Sequence, residues 1–151
     1  MKHVILGAAV CAVIATTAFA HGPAAPVIQA RQARYKQMGG AMKGINDQLR
    51  GGSPDVAAIR PRAALLANYG LRVLRWFPRG SGPQAGIRTR AQPEIWSDWA
   101  GFERAGARLL VAARALNQAA RSGDIAAVRA AMPALARACS ACHDDYRAPE
   151  H

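Results

Sequence analysis

From Ile28 to Leu49 the apolar positions Ile28, Tyr35, Met38, Met42, Ile45 and Leu49 recur three or four residues apart, or in sums of those steps, and one cation, Arg31, shares their stripe. That spacing puts all seven on one face of a helix. Gly51 and Gly52 end the segment. Ser53 then reads as an N-cap with Pro54 at the first helical position, opening a second helix striped by Val56, Ile59, Ala63, Leu66, Gly70, Val73 and Phe77. Pro61 should bend that helix, since it removes a backbone donor. Residues 78–92 are rich in Gly, Pro and Arg and lack an apolar period, so they read as a connection of about fifteen residues, long enough to span a bundle. Pro93 and Glu94 open a third helix with the stripe Ile95, Trp99, Phe102, Gly106, Leu109, Ala113 and Leu116, closed by Ser122 and Gly123. Asp124 caps a fourth, striped by Ile125, Val128, Met132, Leu135, Cys139, Cys142 and Tyr146, with Pro133 inside it. The pattern predicts an all-α protein, an antiparallel four-helix bundle with any cofactor held between the facing stripes.

The first twenty residues belong to a different pattern. Lys2 and His3 precede the apolar run Val4 to Ala15, and the segment closes on Ala18-Phe19-Ala20, a small-x-small cleavage sequence. Residues 1–20 therefore read as a secretory signal cut after Ala20, leaving one domain over residues 21–151. Val4 to Ala20 is shorter than the roughly 20 apolar residues a spanning helix needs. Cys11 lacks the surroundings of a lipoprotein cysteine, with Val10 before it and no Leu three positions upstream. Export points to the periplasm, an oxidising compartment.

Loss of the leader changes both cysteine and charge accounting. Of three cysteines, only Cys139 and Cys142 remain, and without Lys2 there are 19 basic against 9 acidic side chains, a net charge of +10. Such a field favours partners with acidic surfaces. It does not suggest nucleic acid, because the arginines are scattered through every segment of an exported chain.

Cys139-Ser-Ala-Cys142-His143 has the spacing that attaches haem: two thiols can form thioethers with the vinyl groups, and the adjacent imidazole can reach iron. On a helix, Cys139 and His143 are surface neighbours with Cys142 beside them. Zinc would need four ligands, yet beyond these three the mature chain offers only the terminal His21 and His151 among its thiols and imidazoles. A thioredoxin-like dithiol would sit at the start of a helix among alternating strands and helices, not at the end of an all-helical chain. Covalent haem also accounts for both thiols of an exported protein.

With these residues in view, the sequence resembles the class II c-type cytochromes, the cytochrome c prime and cytochrome c-556 family. Arg31-Gln32-Ala33-Arg34-Tyr35-Lys36 resembles the family's opening Arg-Gln motif, Arg90 to Trp96 its entrance to the third helix, and Cys139 to Arg147 its attachment site. The resemblance implies one covalently attached haem c, with His143 as the axial iron ligand and Arg31 and Gln32 at the propionates. It also puts Arg90 near another propionate contact. Read from its stripe alone, Arg31 asks either for an anionic partner or for a route to water.

The resemblance also implies that the residue three after Gln32 covers the distal face of the haem. Met there gives the low-spin c-556 type, and a non-coordinating side chain gives cytochrome c prime. Here the residue is Tyr35, and a neutral phenol is a poor ligand, so a five-coordinate haem open to small gases such as nitric oxide and carbon monoxide is expected. Met38, one turn along the same stripe, supports the alternative of a closed, thioether-ligated electron carrier without gas binding. Either way the chain reads as an electron carrier or ligand-binding protein rather than an enzyme, since the distal stripe supplies only Arg31 and Tyr35. Its expected partners are periplasmic redox proteins. A homodimer through the first two helices is a further implication of the resemblance, with Gly39, Gly40 and Gly44 allowing close approach.

Overall fold

The computed structural model describes residues 24–149. The predicted leader and cleavage point lie outside them, as do His21 and His151. Four long helices form: α1 (Ala24–Arg50), α2 (Val56–Arg72), α4 (Trp99–Ser122) and α5 (Ile125–Tyr146), with a four-residue helix α3 (Glu94–Ser97) leading into α4. Among the described residues there is no strand beyond one isolated bridge, so the expected antiparallel four-helix bundle stands. Consecutive long helices pack on one another, α1 on α2, α2 on α4 and α4 on α5. Their stripes meet in one core in which Ile45, Ile59, Ala63, Leu66, Leu116 and Leu135 are fully enclosed.

Helix boundaries follow local chemistry, with two departures from expectation. The N-cap of α2 is Asp55 rather than Ser53: its Oδ1 accepts from Ala57 N at 2.8 Å, satisfying a donor that the first turn would leave unpaired. Helix α2 then continues through Pro61 to Arg72. The predicted third helix is interrupted at Asp98, which leaves helical geometry with φ −116° and ψ 58° and caps α4 through Gly101 N. Trp99, expected in the interior, consequently stands at the rim of the new helix, 37% exposed and tilted against Phe102. Asp124 caps α5 as its position suggests, and Gly123 closes α4 with a positive φ of 84° that other residues rarely adopt.

The long connection is packed rather than loose. After a 3-10 turn, Val73–Trp76, the chain buries Trp76, Phe77 and Ser81. Further on it runs antiparallel to the tail beyond α5: Gln92 N donates to Tyr146 O at 3.1 Å and Ala148 N to Arg90 O at 2.8 Å. This short ladder ties the C-terminal end of α5 to the entrance of α3.

Candidate haem site

Between the helices lies a cavity of about 430 Å³, bounded by α1 and α5 on facing sides and by residues of α2 and α4 such as Leu66, Phe102 and Leu109. Its lining is overwhelmingly apolar, with polar groups confined to a few side chains including Arg31, Gln32, Thr89, Arg90, His143 and Arg147. A flat, largely apolar ring system with a charged edge matches that division.

Helix α5 presents Cys139, Cys142 and His143 to the cavity together, which one helix face achieves through the three- and four-residue spacing alone. Both cysteines are half-buried and unpaired. Burial pushes both thiols above their ordinary range, Cys142 up to about 11 with help from the neighbouring Cys139 and Asp145. His143 is shifted the other way, by burial first and then by the positive charges of Arg147 and Arg90. At neutral pH the site therefore offers two protonated thiols and a neutral imidazole, the protonation state in which imidazole ligates metals. Among the described residues no group of three or more His, Cys, Asp and Glu comes together to hold a metal ion, which leaves the zinc reading without a ligand set there.

Across the cavity, α1 supplies Tyr35 and Met38. The Tyr35 ring lies edge-on to Trp76, with centroids 5.6 Å apart, and tilts against Phe77 at 6.3 Å. Burial, followed by the nearby Cys142, pushes its ionisation above the ordinary tyrosine value, with Arg31 opposing the shift. Tyr35 is thus held as a neutral phenol. Met38 is buried and lines the same cavity one turn further along.

Arg31 is bound into the connection that follows α2. It does not reach water, being 2% exposed. Instead its guanidinium donates to Trp76 O, Ser81 Oγ, Ser81 O and Thr89 Oγ1 at 2.9–3.3 Å and lies 4.5 Å over the Phe77 ring. A buried cation is thereby satisfied by neutral oxygens and a ring face, and it staples α1 to the connection. Gln32 joins the same strap by donating from Nε2 to Arg88 O at 2.8 Å, and Arg90 Nε donates to Ala148 O at 2.7 Å.

Two roles went unassigned in the sequence, although both residues stand in segments singled out there. Arg147, the last residue of the run that resembles the attachment site, lines the cavity and lowers the basicity of His143. Tyr146 donates from its hydroxyl to Asp98 Oδ2 at 3.0 Å, fastening the end of α5 to the break before α4. Of the three glycines expected at a dimer face, Gly40 is open, Gly39 borders the cavity, and Gly44 is covered within the same chain by Arg62.

A four-helix bundle enclosing such a cavity, with the CxxCH run on its last helix, defines a bundle-type c-type cytochrome. The model of the cytochrome c' family matches residues 26–147, and the chain belongs to that family, whose members carry one covalently attached haem c. Cytochrome c' of Rhodopseudomonas palustris is 36% identical over 81% of this chain and 82% of its own length. Cytochrome c-556 of Agrobacterium tumefaciens is 31% identical over 80% and 95%. The crystal structure of cytochrome c' from Thermochromatium tepidum superposes with a TM-score of 0.75 at 30% identity, covering 82% of this chain and 95% of that one. A cytochrome c' with ligand-controlled dimer dissociation gives 0.75 at 27% identity, covering 82% and 95%. A nitric oxide complex of a cytochrome c prime variant from Alcaligenes xylosoxidans gives 0.74 at 27% identity, covering 84% and 97%.

Proposed function

We propose that this chain is an exported, periplasmic cytochrome that carries electrons and binds small uncharged gases at a five-coordinate haem. In this reading Cys139 and Cys142 hold the haem through thioethers, and neutral His143 is the axial ligand. Bound there, haem supplies a one-electron couple and an open iron position. Tyr35 covers that position as a phenol too weakly acidic to ligate, and its packing on Trp76 and Phe77 restricts entry to small molecules. Arg31, Gln32 and Arg90 line the cavity together, and propionates would emerge beside them. Residues 1–20 act as the signal, removed after Ala20.

The observation that carries the gas-binding reading is the half-buried, neutral Tyr35, which lines the cavity together with the two α5 thiols. The reduced holoprotein should give a high-spin spectrum that changes when carbon monoxide is added. A low-spin reduced spectrum indifferent to carbon monoxide would instead favour ligation by Met38, which lines the same cavity, and the function of a closed electron carrier. Attachment is tested separately: acid-acetone should extract haem from the Cys139→Ala, Cys142→Ala protein but not from the unaltered one.

Self-association through α1 and α2 belongs to the same proposal, supported by the open Gly40 surface and by the dimeric relative described above. Sedimentation of the holoprotein as a monomer would contradict it.

A further inference from the structure

Nearly all residues that line the cavity are buried or half-buried. Among the described residues only Gln32, Gly39 and Arg147 line it and are exposed to solvent as well. Such positions mark where the wall is one residue thick. Gln32 and Arg147 belong to the end closed by the connection: Gln32 donates to Arg88 O, and Arg147 bridges to Ala91 beside Arg90. Gly39 lies seven residues beyond Gln32, about 10 Å further along α1, where that helix contributes Tyr35, Met38 and Met42 to the lining.

The packing of the bundle explains why the wall thins there. Helix α1 lies on α2, α2 on α4 and α4 on α5, but no comparable packing joins α1 to α5. The flank between those two helices is therefore closed by side chains rather than by a helix-to-helix contact. Gly39 stands four residues after Tyr35 and three before Met42, so the three positions are neighbours on the helix surface. It has no side chain to fill the space between them. A Cβ built on it would meet no atom of the facing elements within 4 Å. Helix formation gives no reason for glycine at this position, since it weakens α1.

We propose that Gly39 is the window through which small uncharged gases reach the distal side of the haem. The proposal rests on the gas-binding reading given above and adds the route. The end beside Arg31, Gln32 and Arg90 is filled by the propionates in that reading, which leaves the Gly39 flank open. Its frame also selects the ligand. Tyr35 and Met42 border it, and the one charge that α1 brings to the cavity, Arg31, lies about two turns back and is bound to the connection. Nothing at the window compensates an ion for its lost hydration, whereas a diatomic gas has little hydration to lose.

Flash photolysis of the carbon monoxide complex of the reduced holoprotein tests the route, because a plug in a window changes rates without changing the equilibrium. Gly39→Leu should lower the association rate about tenfold, since the side chain must swing aside before each entry, and should lower the dissociation rate by the same factor. Affinity and spectrum should match the parent, and the fraction of gas that rebinds without leaving the protein should rise. Gly39→Ala, with a single methyl group, should slow both rates only about twofold. Ala33→Leu adds an exposed leucine to the same helix away from the cavity and should leave the rates as they are. Gly39→Leu should unfold at no lower denaturant concentration than the parent, leucine being the better helix former. An unchanged association rate in Gly39→Leu would overturn the proposal, as would equal slowing in Ala33→Leu. So would slower association with dissociation unchanged, because the leucine would then be crowding the bound gas rather than its path. Absence of any response to carbon monoxide in the unaltered protein would remove the gas-binding reading itself, a result distinct from any pattern among the variants.

Discussion

Replacing Arg31 with Ala is expected to be among the most damaging single changes in the bundle. The side chain is 2% exposed and makes four hydrogen bonds, each from a charged donor. Such bonds contribute roughly 1.5–3 kcal/mol each, which gives a gross loss of about 6 kcal/mol or more. Against this, the variant no longer has to desolvate a guanidinium, and water entering the vacated space will satisfy some of the abandoned oxygens. Measured losses on breaking buried charged contacts run to roughly 3–5 kcal/mol, and the lower end, about 3 kcal/mol, fits neutral acceptors. With a urea slope of about 2 kcal/mol per molar, the unfolding midpoint of the holoprotein should fall by about 1.5 M. Arg31→Lys should recover only part of this, because an ammonium has three donors on one atom and cannot span acceptors spread over Trp76, Ser81 and Thr89. A midpoint shift below about 0.5 M for Arg31→Ala, or a Lys variant as stable as the parent, would refute the view that Arg31 holds the connection against α1.

Two further outcomes follow from the site. Tyr35→Met puts a thioether where the phenol covers the cavity, and the reduced spectrum should become low-spin and unresponsive to carbon monoxide; a spectrum unchanged from the parent would mean that this position does not face iron. The second concerns pH. Asp98 has a carboxyl held below its ordinary value of 3.8 by the Gly101 amide and then by the Tyr146 hydroxyl. As pH falls, the unfolded chain takes up this proton first, so the Asp98 contribution is complete above about pH 5 and is lost as pH drops through 3.8 toward the depressed folded value. Asp98→Asn keeps a capping side chain but removes the titration, and its melting temperature should fall less steeply between pH 5 and pH 3. Parallel slopes for parent and variant would exclude this linkage.

The sequence by itself determined whatever depends on neighbours within one helix. The three-and-four stripes sufficed for four helices and most of their buried residues, because that spacing is a property of the helix and needs no knowledge of what packs against it. The grouping of Cys139, Cys142 and His143 was legible for the same reason. Where a local signal failed, a nearby competitor had won: Asp55 displaced Ser53 as cap, and Asp98 broke the third stripe and sent Trp99 to the rim. Tertiary structure alone decided the long-range partners. Arg31 finds its oxygens 45 to 58 residues away, and Tyr146 meets Asp98 across 48, pairings that no local period encodes. Nor could the stripes reveal that α2 packs directly on α4. Periodicity specifies which side of a helix turns inward; which helices become neighbours, and at what axial offset, is fixed only when the whole core packs.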